Sequence, residues 1–392
     1  MNSSFENKPP RSRRIPYSFG LIGYPLGHSL SPQIHVAALH ALNLNGEYNL
    51  YPVRPLPDGW DELNALLAGV RVGKIHGLNV TIPHKQNIIS LLDTLTPAAE
   101  AIGAVNTISL DDGKLVGDNT DALGFWMDLN KNLDVQSFFN SEALVLGAGG
   151  SARAVIYALL SNGFHVTIAA RRKKQAQELK EHFSETTEIN TQPVPKLRQT
   201  VSETQPLSGG SKSSITRSSI TVISLQRLIN KPSIATPFSL IVNTTPVGMS
   251  PHTDASPWPQ EIPYPDKAAF YDLVYNPRKT LLVSSALAAG HPAYSGLGML
   301  VEQAALAFER WTDRTDVKRS GRRHFIGYAR GFRLGCGGHS QPRRGHCPTT
   351  GPAHSQDIQE CCFVRHPGHH ALPRRSQLTP GHGSASGPHH RD

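Results

Sequence analysis

Ala143-Leu144-Val145-Leu146-Gly147-Ala148-Gly149-Gly150-Ser151-Ala152 is the stretch whose reading decides the fold. Four apolar residues of strand character run into a glycine loop, and a helical pattern follows through Leu160. The spacing G-x-G-G-x-A fits the turn that joins the first strand and helix of a dinucleotide-binding unit. Gly147 allows the tight turn, Gly149 lets a pyrophosphate approach the backbone, and Ala152 lets the helix pack on the strand. Ala148, Gly150 and Ser151 complete the loop, where free N–H groups and the helix dipole favour anions.

Downstream, His165–Ala169 reads as the next strand and Lys173–Phe183 as the next helix. An NAD site places Asp or Glu near the end of that strand, to accept from the ribose 2′-hydroxyl. Here Ala170-Arg171-Arg172 follows, with no carboxylate. A guanidinium pairs well with a 2′-phosphate, so the sequence points to NADP as cofactor. Leu240–Asn243 and Ala269–Tyr271 read as later strands of the same unit.

Upstream lies a second α/β alternation. Phe19–Gly23, Glu47–Pro52 and Ile75–Asn79 read as strands, and Ala104–Leu110 pairs with Lys114–Gly117 across Asp111-Asp112-Gly113. Ser31 is expected to cap a helix through Leu42, with Pro32 at its first position. In Asn79-Val80-Thr81-Ile82-Pro83-His84-Lys85, Asn79 and Thr81 fall on one face of a strand. Lys85 then enters a helix expected to run through Ile88, Ile89 and Leu92. An ammonium beside neutral donors and acceptors suits proton transfer to a hydroxylated substrate. A solvated lysine in an ordinary turn would look the same in isolation.

At 392 residues and 38% apolar the chain can build two cores. Its net charge of +9 comes from the end: residues 317–392 hold twelve Lys and Arg against three Asp and Glu, leaving 27 of each sign before them. A formally neutral body gives no reason to expect a nucleic-acid partner there. All four cysteines also lie in that tail, at spacings that match no zinc pattern, so neither a disulfide framework nor a metal is expected. Met1–Arg14 has no apolar core of a signal peptide, and no run of 18 apolar residues exists. A cytoplasmic protein, not a membrane one, is the expectation.

Two segments depart from the alternation. Residues 186–218 are rich in Ser, Thr, Gln and Pro and read as a low-complexity insertion. Residues 317–392 are dense in Arg, His, Gly and Pro and read as disordered. Their composition resembles GC-rich DNA translated in another frame. A helical, apolar continuation in a second frame of the locus would support a frameshifted origin, and its absence would remove that reading.

Further polar groups recur in a fixed order: Ser29 and Ser31 around Leu30, Asn106 in Gly103–Thr107, Asp121 after Gly117-Asp118-Asn119-Thr120, Tyr275 in Tyr271–Pro277, and Gln303 in Gly296–Gln303. As a set, with the Asn79–Lys85 motif and the glycine loop, they resemble the shikimate dehydrogenase family over about Ser18 to Thr315. The resemblance implies two α/β domains: a substrate-binding catalytic domain at 18–121 and a Rossmann-type NADP-binding domain at 122–290. A C-terminal helix at 291–316 returns to the first. It implies NADPH-dependent, reversible reduction of 3-dehydroshikimate to shikimate in aromatic amino-acid biosynthesis, by a monomer or homodimer. On this resemblance Lys85 and Asp121 are the catalytic pair. Ser29 and Ser31 hold the substrate carboxylate, and Asn79, Thr81, Asn106, Tyr275 and Gln303 line the substrate. Gly147 to Ser151 and Ala170 to Arg172 bind the dinucleotide, with Leu273 and Gly296 near the nicotinamide.

Two departures stand out. Ala170-Arg171-Arg172 replaces the family's usual Asn-Arg-Thr, and Ser295 replaces the Asp before Gly-Leu-Gly-Met. An NAD-dependent quinate dehydrogenase is the nearest rival. The serine pair favours shikimate, because quinate enzymes often change the second serine. A non-catalytic protein that binds nucleic acid through the basic tail is the reading from another class.

Overall fold

The computed structural model describes residues 16–135, 141–186 and 219–313. The insertion beyond Thr186 and the tail from 317 lie outside the described residues.

The first sheet begins with β1 (Tyr17–Gly23), which is followed by α1 (Ser31–Ala41) and β2 (Gly46–Pro52). Next come α2 (Trp60–Arg71), β3 (Gly77–Val80) and α3 (His84–Asn87). Then β4 (Thr94–Leu95), α4 (Pro97–Ile102), β5 (Thr107–Asp111) and β6 (Lys114–Asp118) complete it. The strand order is β2-β1-β3-β5-β6-β4. β1 runs parallel to β2 and β3, while β5 is antiparallel to β3 and β6.

α5 (Asp121–Asn132) leads to a second sheet formed by β7 (Glu142–Leu146), α6 (Gly150–Ser161), β8 (His165–Ala170) and α7 (Lys173–Thr186). It continues through β9 (Ile220–Ser224), α8 (Leu225–Asn230), β10 (Phe238–Asn243) and β11 (Ala269–Asp272). α9 (Leu281–Ala288), β12 (Ala293–Ser295) and α10 (Leu297–Thr312) end the described chain. This sheet is wholly parallel, in the order β12-β11-β10-β7-β8-β9. It is doubly wound, with its reversal between β7 and β10, where such sheets open a ligand crevice at their carboxyl ends. The sheet runs to Ser295, past the boundary expected at 290, because three residues after α9 add an edge strand.

Two local expectations are corrected. Ser31 does not cap α1: Leu30 takes the cap position, no side chain closes the helix start, and Pro32 follows inside it. Ser31 is buried in the first turn instead, its N–H donating to Ser29 Oγ at 3.2 Å. Nor does one helix run from Lys85 to Leu92. α3 gives way to a 3-10 turn at Ile88–Leu91, and Leu92 is already extended. Adjacent β-branched Ile88 and Ile89, one of them fully buried, suit the tighter turn better than a long helix.

α10 ties the sheets together. It crosses α5 so closely that a Cβ on Gly124 would lie 2.8 Å from the Gln303 backbone nitrogen. Its Val301, Ala304, Ala305, Phe308 and Trp311 fill one core with Phe19, Leu39 and Tyr48 of the first domain. Trp311 donates its indole N–H to the Ile108 carbonyl at 3.0 Å.

Candidate active site

β3 ends beside the carboxyl ends of β1 and β2, and the chain turns through Thr81 into α3. That turn buries Lys85 to 8% exposure, and the Val105 N–H donates to its carbonyl at 2.7 Å. A buried ammonium needs a counter-charge, since desolvation of an unpaired ion costs several kcal/mol. Asp121, the first residue of α5, provides it: Lys85 Nζ lies 2.5 Å from Asp121 Oδ2. Asn119 sets that carboxylate in place, its Oδ1 accepting from the backbone N–H groups of Asp121 (3.1 Å) and Ala122 (3.3 Å).

The other carboxylate oxygen, Oδ1, accepts from Asn106 Nδ2 at 2.9 Å. Asn106 is fixed from its other end, where Oδ1 accepts from the Thr120 N–H at 2.8 Å. Its amide also points to Gln303 Oε1 at 3.4 Å, so α10 contributes directly to the cluster. Lys85, Asp121, Asn106 and Gln303 thus meet from four separate elements.

A second cluster forms at the start of α1. Ser29 Oγ accepts from the Ser31 N–H at 3.2 Å, and Tyr275, from the loop after β11, lies beside Ser29. Burial pushes the Tyr275 hydroxyl above its ordinary pKa, which keeps it a neutral donor. Thr81 is half-buried beside Gly23.

The glycine loop faces the same cleft. Gly147 has φ +112°, a left-handed conformation, and a Cβ there would sit 2.6 Å from Thr244 Oγ1. Gly149 is exposed with open space around it, at the unsatisfied N-terminus of α6. That space and those N–H groups fit a pyrophosphate. Gly150 packs on the Lys85 side chain, its notional Cβ 3.2 Å from Lys85 Cβ, and Lys85 Nζ donates to Ser151 Oγ at 3.4 Å. Gly296 admits no side chain because the Leu273 backbone occupies that space, which brings these two positions together. Ala170 is buried at the end of β8, while Arg171 and Arg172 are exposed beyond it.

Asn79 is tied into the sheet beneath the cluster. It is 4% exposed, its Oδ1 accepts from Tyr48, and its Nδ2 donates to the Asn106 carbonyl at 3.2 Å and to Thr107 Oγ1 at 3.3 Å. The sequence reading also missed Tyr48 and His35. Both are buried against this cluster, and the only local signal for Tyr48 is its inward place in the alternation of β2. Among the described residues no group of three or more His, Cys, Asp or Glu is placed to hold a metal ion. No helix among them is long and apolar enough to cross a membrane.

A buried ammonium can give up a proton but carries no electrons to transfer. The dinucleotide loop packed against it supplies the missing half, and the pairing defines a two-domain α/β oxidoreductase that uses a nicotinamide dinucleotide. Comparison with known proteins narrows this. Residues 21–108 match the family described as shikimate dehydrogenase substrate binding domain, residues 130–222 match shikimate/quinate 5-dehydrogenase, and residues 296–317 match the shikimate 5′-dehydrogenase C-terminal domain. Shikimate dehydrogenase (NADP(+)) of Salinibacter ruber is 39% identical over 297 residues, covering 75% of this chain and 91% of the relative. The structure of shikimate 5-dehydrogenase from Thermus thermophilus, in complex with NADP(H) and shikimate, superposes with a TM-score of 0.59 at 32% identity, covering 80% of this chain and 99% of that one. Quinate dehydrogenase from Corynebacterium glutamicum, in complex with NAD, gives 0.62 at 26% identity, with 80% and 99% covered. The chain belongs to the shikimate dehydrogenase family.

Proposed function

We propose that the protein catalyses the NADPH-dependent, reversible reduction of 3-dehydroshikimate to shikimate, a step of aromatic amino-acid biosynthesis. The observation that carries this reading is the Lys85–Asp121 pair packed against the dinucleotide loop. NADPH, when bound, supplies the hydride that reaches the C3 carbonyl carbon of the substrate.

In the reduction, the carbonyl π pair moves onto oxygen as the carbon gains hydride. Lys85 stabilises the growing negative charge and gives that oxygen a proton; in oxidation the flow reverses. Asp121 keeps the ammonium aimed, and Asn106 and Gln303 hold Asp121 and the neighbouring hydroxyls in register. Ser29 and Ser31 bind the carboxylate at the far end of the ring, with Tyr275 donating beside them and Thr81 lining the wall. Gly147, Ala148, Gly149, Gly150 and Ser151 bind the pyrophosphate, and Leu273 and Gly296 shape the nicotinamide end. Arg171, with Ala170 and Arg172, reads the 2′-phosphate. We place the enzyme in the cytoplasm, beside the reduced nicotinamide pool it draws on, as a monomer or homodimer.

Purified protein should be assayed with shikimate and with quinate, each against NADP and NAD. Shikimate with NADP should give the highest kcat/KM of the four. A preference for quinate with NAD would replace the reading by that of a quinate dehydrogenase, and no turnover on any pair would overturn it.

A further inference from the structure

The end of α4 is closed by residues of the dinucleotide domain. Gly103 stops that helix with φ +66°, which leaves the Ala101 and Ile102 carbonyls without partners inside α4. His182 Nε2 of α7 lies 2.8 Å from the Ala101 carbonyl, and Arg153 Nη1 of α6 donates to that of Ile102 at 3.3 Å. The two side chains roof Gly103, where a notional Cβ would fall 2.8 Å from Arg153 Nη1 and 3.1 Å from His182 Cε1. Arg153 stands in the first turn of α6, and its backbone N–H donates to the Gly149 carbonyl at 3.1 Å, inside the glycine loop. Burial lowers the guanidinium's pKa, with Glu178 of α7 opposing, and Nε is buried without a hydrogen-bond partner among the described residues. Packing alone is a poor reason to keep such a group.

The strip that leaves α4 then runs along the catalytic cluster. The Ala104 carbonyl accepts from Asn119 Nδ2 at 2.8 Å, and Asn119 is the residue that seats Asp121. The Val105 N–H donates to the Lys85 carbonyl at 2.7 Å. Asn106 Nδ2 donates to Asp121 Oδ1 at 2.9 Å. One short segment thus meets the dinucleotide-binding helix at one end and Lys85 and Asp121 at the other.

We infer that Arg153 and His182 are positioning residues: by holding the end of α4 they fix Lys85 and Asp121 relative to the dinucleotide loop, and so set the gap across which hydride passes. The inference rests on the reading of this cleft as the site of NADPH-dependent reduction. Without the two donors the Ala101 and Ile102 carbonyls turn to water and the cleft widens. Shikimate and NADP still bind, each on its own domain, but the reacting carbons stand too far apart.

Arg153→Met keeps the stem and removes the donor. Shikimate oxidation with NADP should be followed with ordinary shikimate and with shikimate deuterated at C3, over a range of temperatures. The kcat should fall roughly 10- to 100-fold, the usual effect of a small misplacement of reacting groups. Both KM values should stay within about twofold, because neither ligand loses a contact. A wider gap also enlarges the isotope effect and steepens its temperature dependence, whereas a loss of folded enzyme changes neither. Arg153→Lys should regain most of the lost kcat, since a single carbonyl needs only one charged donor.

A near-normal kcat in Arg153→Met, or an isotope effect unchanged in size and temperature dependence, would overturn the inference. So would an NADP KM that rises as kcat falls, which would make Arg153 a cofactor ligand, or an Arg153→Lys variant no better than Arg153→Met. Should Arg153→Met not fold, His182→Leu removes only the bond to Ala101, from a half-buried position. The same isotope signature is expected there with a smaller loss of kcat, and its absence would overturn the inference. Each of these outcomes leaves the enzyme's function intact, while a wild-type protein inert to shikimate with NADP would overturn both.

Discussion

At the scale of single residues the site is a set of buried charges and amides whose partners are chosen by function more than by stability. Lys85 and Asp121 sit 8% and 5% exposed, a pairing that well-packed apolar residues would replace without loss of stability. Its retention makes sense if the ammonium has work to do. Lys85→Met, which keeps the stem and removes the charge, should lower kcat by about 10²- to 10⁴-fold, the usual range for a general acid. The shikimate KM should change only a few-fold, so the loss appears in the chemical step. Steady-state kinetics in both directions check this, and a near-normal kcat would take Lys85 out of the mechanism. Arg171 works by a different logic, because it is exposed and its value lies in discrimination. Arg171→Ala should raise the NADPH KM roughly 10- to 100-fold, as expected for charge-assisted hydrogen bonds to a phosphate. Activity with NADH should stay the same, since NADH has no 2′-phosphate to lose. A parallel drop with both cofactors would show that Arg171 supports the fold instead.

At the scale of elements the decisive contact is the crossing of α10 over α5. Gly298 sits where a side chain would overlap the Asp128 carboxylate, and Asp128 is pinned by the Tyr271 hydroxyl at 2.7 Å. Gly298→Ala should therefore part the two helices and destabilise the protein by about 1–3 kcal/mol, the usual effect of overpacking. Because α10 also carries Gln303 to Asn106, kcat should fall with it. Urea unfolding measures the first effect, and an unchanged midpoint would show that the crossing tolerates a methyl group. The helix itself is legible in the sequence, since its apolar stripe repeats at helical spacing from Leu297 to Thr312. The strands around the glycine loop are legible too, being continuous apolar runs bounded by Gly and polar turns. β4 and β12 are not, because two or three residues carry no periodicity. Ser31 illustrates a subtler failure. Its type and position before Pro32 are those of a helix cap, yet Leu30 takes that place and the Ser31 N–H donates to Ser29 Oγ. Lys85, Asp121 and the serines are readable because motif order betrays them. The Tyr48–Asn79 bond is not, because it joins two strands through a sheet order that no local pattern announces.

At the scale of the whole molecule, one core shared by the first sheet and α10 places a titratable group under the substrate end of the site. His35 is fully buried there, between Tyr48 and the rings of Phe308 and Trp311, and burial lowers its pKa from 6.5 to about 3, hydrogen bonding to Asn79 opposing only in part. The folded protein thus holds His35 neutral where the unfolded chain protonates it. Above pH 6.5 neither state binds that proton and stability is unaffected. Below it the unfolded state binds more protons, so stability falls with pH until the folded pKa near 3 is reached. Within the window the slope is up to about 1.4 kcal/mol per pH unit. Asp128 and Asp272 act in the opposite sense, because burial raises both and acid relieves their charge. The total pH profile therefore mixes the two signs, and a difference measurement is needed. His35→Phe retains a ring for Tyr48 to stack on and carries no proton. Between about pH 6 and 4.5 its unfolding free energy should fall less steeply than that of the wild type, by up to about 1.4 kcal/mol per unit, whatever its absolute stability. The carboxylates contribute equally to both proteins and cancel. Parallel curves from urea titrations across that range would mean that acid reaches His35 in the folded state, and that the core beneath the serines opens before the rest of the protein does.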